Sequence, residues 1–109
     1  MKIIELLNEK EKWTTGTFAR DIFGRPVFSG GHEAISWCLG GAINKCYYDA
    51  GPIIIRKVEE KIIEVIKRLY KNYPANFQEN GQWVIRVFND NLDFTTFEDI
   101  QKVLDEADV

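Results

Sequence analysis

The hydrophobic positions fall into blocks with different periods. In residues 2–11, Ile3, Ile4 and Leu7 share one side of a short first helix. Residues 13–31, WTTGTFARDIFGRPVFSGG, have no helical period. Their Gly and Pro content predicts turns, with a small β-hairpin around Gly24 in ARDIFGRPVF.

A second helix is expected from about Glu33 to Tyr48, with Gly51 as its stop. At a spacing of four, Ala34, Cys38, Ala42 and Cys46 form a row of small residues. Ile35, Leu39, Ile43 and Tyr47 form the adjacent row of large ones. A helix apolar around most of its circumference belongs at the centre of a bundle. A small row beside a large one lets a neighbouring helix come close. Gly41 flanks Cys38 on the Trp37 side and fits that packing, whereas Gly40 falls on a narrow polar strip.

Pro52 suits the first turn of a third helix, whose stripe is Ile55, Val58, Ile62, Val65, Ile66, Leu69 and Tyr73. NYPANFQENGQ then breaks the pattern at Pro74 and Gly81. Residues 83–90, WVIRVFND, fit either a helical face or a β-rich strand. Thr95 and Glu98 have capping-box spacing, and Phe97, Ile100, Val103, Leu104 and Ala107 continue as a last helix. The expected architecture is mainly α, a compact bundle of about four helices around the helix at 33–48. A small β-hairpin or irregular insertion occupies about 14–31. At 109 residues the chain is expected to form a single domain over 1–109.

Composition narrows the function classes. Hydrophobic residues make up 45% of the chain, enough for a packed core. No apolar run reaches the length of a membrane span, and the N-terminus turns charged too early for a secretory signal. The expectation is a cytoplasmic protein. Cys38 and Cys46, eight residues apart on one helix, are about 12 Å apart along its axis and too distant to bridge. One His and two Cys make a dedicated metal site improbable, and no cofactor motif is present. The net charge of −3 conceals an asymmetry: residues 56–72 are rich in Lys and Arg, residues 90–109 in Asp and Glu. Mutual attraction of neighbouring segments accounts for this most simply. Nucleic acid is a poor fit to the acidic whole, because Glu64 interrupts the basic face formed by Lys57, Lys61, Arg68 and Lys71.

Three chemistries compete for the remaining residues. A thiol enzyme would use Cys38, with His32 and Asn89 or Asp90 in support. Cys38 in the small apolar row reads instead as a packing group with a raised pKa. A small-ligand pocket would draw on the many aromatics, among them Trp13, Phe18, Trp37, Tyr47, Tyr48 and Trp83, with Arg20 and Arg25 available to an anion. The aromatics serve equally as core and loop anchors. The third class is a protein that acts by occupying a partner, motivated by small size and the lack of a convincing catalytic set.

KWTTGTFARDIFGRPV, WCLGGAI and FNDNLDFTTFEDIQKVLDEA occur in this order along nearly the whole chain. They resemble a family of small uncharacterised proteins from bacteria and their phages, with GWxxGxxARDxxG, CxxGA and WND-like segments. Cys38, Gly41 and Ala42 fit the second pattern. Lys12 stands where the pattern has Gly, and Phe88 where it has Trp. The resemblance implies a fold unit rather than a reaction, and its phage association implies a protein directed at a host or defence component. The leading expectation is therefore a small non-enzymatic binding protein with a protein partner. The alternatives are a small-molecule or nucleotide binder and a thiol enzyme. The expected binding residues are Trp13, Arg20, Arg25, Trp37, Asn89 and Asp90, with no cofactor, metal or membrane.

Overall fold

The computed structural model describes residues 1–71 and 81–109. Among these are five α-helices and a two-stranded antiparallel sheet. Helix α1, Ile3–Leu6, is a single turn, shorter than the 2–11 the sequence predicts. A separate 3-10 turn follows at Lys10–Lys12. Ile3 and Leu7 are nonetheless fully buried, and Ile4 N–H donates to the Val109 carbonyl at 3.1 Å, joining the two ends of the chain.

Strand β1, Ala19–Arg20, pairs with β2, Ser36–Trp37, in the register Ala19↔Trp37 and Arg20↔Ser36. Arg20 also bridges to Pro26, which closes the expected turn around Gly24, a residue at φ +80°. On the other side Thr14 N–H donates to the Trp37 carbonyl at 3.0 Å. The sheet thus reaches beyond the expected insertion: within 14–31 the turn around Gly24 is closed by a single bridge, and the strand partner of Ala19–Arg20 lies at Ser36–Trp37.

The helix expected at 33–48 begins later, as α2, Leu39–Tyr47. Residues 36–37 are committed to the sheet, and Cys38 caps the helix from extended geometry, φ −78° and ψ 174°. Ala34 and Cys38 are therefore not on the helix, and Ile35 points outward instead of joining a large row. Strand pairing has overridden a pattern that suits a helix equally well.

Gly51, at φ +91°, separates the 3-10 turn Tyr48–Ala50 from α3, Pro52–Leu69, and Pro52 occupies the first turn as expected. Val58, Ile62, Val65 and Ile66 bury the inner face of α3. Tyr73 and Pro74 lie outside the described residues. Gly81 opens a helix rather than breaking one. Helix α4, Gly81–Asp90, resolves the ambiguous WVIRVFND, with Val84, Ile85 and Phe88 inward. Helix α5, Phe97–Ala107, has the predicted apolar stripe. Its capping box is shifted one residue from the expected Thr95/Glu98 pair: Thr96 and Asp99 cap each other's backbone, at 2.9 and 3.2 Å, while Thr95 is buried.

Helix α3 packs against α2, α4 and α5. The basic and acidic segments are thereby neighbours. Arg68 pairs with Glu106 at 3.4 Å, and the charge of Lys61 favours ionised Asp108. No described helix is long and apolar enough to cross a membrane.

Candidate functional site

The C-terminal end of α4 carries a buried hydrogen-bond hub. Asn89, on the inner face of α4, is only 2% exposed. Its Oδ1 accepts from Trp13 Nε1 at 2.8 Å and from Leu39 N–H, the first residue of α2, at 3.0 Å. Its Nδ2 donates to the Thr14 carbonyl at 3.1 Å and to Asp90 Oδ1 at 2.9 Å. Asp90 Oδ1 also accepts from Gly16 N–H at 3.1 Å. One amide thus ties the 13–16 loop, the start of α2 and the end of α4 together. All its polar atoms are used, which is the condition under which a buried polar network rigidifies rather than destabilises.

The arginines of the insertion hold backbone. Arg20 donates to Thr14 Oγ1 at 2.9 Å, the Gly24 carbonyl at 2.9 Å and the Thr15 carbonyl at 3.0 Å. Asp21 accepts from the backbone N–H of Phe23 and Arg25, each at 2.9 Å, and its other oxygen receives Arg25 Nε at 2.8 Å. Burial pushes the Asp21 carboxyl up, but the N–H donors and the guanidinium together hold it below the usual carboxylate range. Trp37 is buried, its Nε1 donating to the Ser29 carbonyl at 2.9 Å. Of the six residues expected to bind, Trp13, Arg20, Arg25 and Trp37 thus make bonds within the protein that shape the loops. Asn89 and Asp90 reach a cavity.

That cavity is an open groove of about 890 Å³ between the loops and helices α2, α3 and α4. Phe18 and Phe28 line it from the loop side and Trp83 from α4, each more than half exposed. The Phe28 wall is held by Ser29, whose Oγ accepts from Asn44 Nδ2 at 2.7 Å and whose carbonyl is the Trp37 partner. Glu59 on α3 and Arg86 and Asp90 on α4 bring the charges, and the Arg86 guanidinium lies over the Trp83 ring, 5.8 Å from its centroid.

The close approach of the loop explains Gly41 but not Gly40. A Cβ on Gly41 would lie 1.9 Å from the Phe18 carbonyl oxygen, so only glycine lets the loop backbone rest on the first turn of α2. The same carbonyl accepts from Cys38 N–H at 3.2 Å. A Cβ on Gly40 would meet the Phe18 ring at 3.3 Å, a side chain with room to move. The small residue at 41 therefore admits a loop, where the sequence pattern suggested a helix. Cys38, partly buried, accepts from Gly41 N–H at 3.3 Å through Sγ. Burial pushes its thiol up; the Gly41 and Gly40 N–H groups oppose this, and the charge of Asp90 adds to it. Both cysteines are free, and no group of three metal-ligating side chains occurs among the described residues.

Sequence reasoning placed Phe18 and Trp83 in its aromatic set but could not tell them from Trp13 and Trp37. Phe28, Asn44, Glu59 and Arg86 gave no local signal at all. Among known proteins, the model of a family of unknown function, DUF6197, matches residues 2–108. No curated protein and no solved structure matches the chain.

Proposed function

We propose that the chain, which belongs to DUF6197, a family of unknown function, is a non-enzymatic binding protein whose groove holds a small aromatic molecule. One observation carries this reading: three aromatic side chains, Phe18, Phe28 and Trp83, stay largely exposed while lining the same groove of about 890 Å³. Ligand sites typically measure roughly 300–1,000 Å³ and combine apolar walls with a few polar groups. The loop wall is held by the Asn89 hub and the Ser29–Asn44 bond, so the site is formed before a ligand arrives. Thiol chemistry at Cys38 is disfavoured, because burial and Asp90 both oppose the thiolate.

The test is an NMR titration with neutral planar fragments, indole first. Binding should move the Trp83 indole signal and the Gly40 amide, and Phe28→Ser with Trp83→Ser should abolish the Gly40 shift while circular dichroism shows the fold retained. Unmoved signals at about 5 mM, the concentration of a very weak complex of about −3 kcal/mol, would refute the reading.

A second reading, a protein partner, is favoured by the turn at 21–25. It presents Ile22 and Phe23, 75% and 77% exposed, on backbone pinned by Asp21 and Arg20. Rigid apolar anchors of this kind suit a partner's pocket. In a phage or mobile-element setting the partner would be a host or defence component. Co-purification of one protein from native cells that disappears in Ile22→Ser/Phe23→Ser, with unchanged melting, would support it.

A further inference from the structure

Resting on the groove reading, we propose that the groove selects a molecule joining a planar ring to a cationic amine, and rejects phosphorylated nucleotides. The rings of Phe18, Phe28 and Trp83 supply faces for stacking and for cation–π contact. The charged groups supply the sign. Glu59, Arg86 and Asp90 all line the groove, giving two carboxylates to one guanidinium.

Their placement sharpens the imbalance. Arg86 is drawn over the Trp83 ring, where its charge is partly engaged. Asp90 forms no ion pair among the described residues; the partners of its Oδ1 are the neutral Gly16 N–H and Asn89 amide. Those donors fix the carboxylate without neutralising it. Its charge is felt at the groove floor, where it opposes ionisation of Cys38. An ammonium group entering beside Asp90 gains a counter-ion that is already oriented. A phosphate entering there meets the Asp90 carboxylate, and Arg86 is the single basic side chain among the described lining residues to receive it.

The experiment compares probes of one ring system and opposite charge on the full chain. Tryptamine, indole-3-propionate, neutral indole and adenosine monophosphate are titrated by NMR, following the Gly16, Gly40 and Trp83 indole signals. Tryptamine should bind about tenfold or more tighter than indole-3-propionate, the scale of one charge contact near a protein surface. Asp90→Asn should bring the two within about threefold, and about 0.5 M salt should narrow the same gap in the unaltered protein through screening. The salt arm decides the matter if the variant folds poorly. Equal or tighter binding of the propionate or the nucleotide overturns the charge selection and leaves the groove reading standing. If no probe moves these signals, neutral indole included, the groove reading fails and this proposal fails with it.

Discussion

Gly41→Ala tests the central contact of the fold. The added Cβ would sit 1.9 Å from the Phe18 carbonyl oxygen and 2.8 Å from its carbon. Ordinary contact begins near 3.4 Å, so loop and helix must part by more than an ångström. The obstacle is backbone, which cannot rotate away as a side chain would. The displaced carbonyl also holds Cys38 N–H at 3.2 Å, the bond that joins the end of β2 to the loop. Overpacking of this kind costs about 1–3 kcal/mol. Losing a buried backbone bond adds about 1–3 kcal/mol, and the better helix propensity of Ala returns at most about 1 kcal/mol. The net expectation is a loss of about 1–5 kcal/mol, or roughly 4–20 °C in melting temperature for a chain of this size. Gly40→Ala is the internal control. Its Cβ meets the largely exposed Phe18 ring at 3.3 Å and the Cys38 Sγ at an ordinary 3.8 Å, so melting should stay within about 3 °C of the parent. Circular-dichroism melts of both variants decide it. A Gly41→Ala protein that melts within about 2 °C of the parent, or a Gly40→Ala protein equally damaged, would refute the reasoning.

Two further predictions concern the polar network. Asn89→Asp replaces an N–H donor with an oxygen facing the Thr14 carbonyl and the Asp90 carboxylate, at positions now 3.1 and 2.9 Å from Nδ2. It should cost about 3–5 kcal/mol at pH 7, with partial recovery near pH 4 as the new carboxyl takes a proton; unchanged melting at pH 7 would exclude the hub. For Asp21, the folded pKa lies below the unfolded value of about 3.9, so its contribution is complete above about pH 4 and disappears as pH falls through the folded pKa. The melting gap between the parent and Asp21→Asn should therefore close on acidification, and a gap that is constant or widens would contradict the assignment.

How far the sequence could be read depended on whether each signal was local. Helix α3 announced itself through Pro52 and an uninterrupted 3.6-residue stripe, and the stripe of α5 was equally legible. The capping box slipped by one because TT offers two hydroxyls and ED two acids at the same spacing. Only burial of Thr95 decides between them. The segment at 33–48 misled for a deeper reason. Its small residues serve different partners that happen to fall at helical intervals: Ala34 is buried beside β2, Cys38 caps a helix and Ala42 lies inside one. Nothing within the segment records that Phe18, some twenty residues earlier, lies across Gly41. The groove was hidden in the same way, since it is assembled from two loops and three helices. Trp13 and Trp37 each carry an N–H that found an acceptor, Asn89 Oδ1 and the Ser29 carbonyl, and so became anchors. Phe18 and Phe28 have no such handle, and what distinguishes them is that the loops leave their faces uncovered. A residue's usefulness as a binding surface here is set by what the rest of the chain fails to cover, which no local pattern encodes.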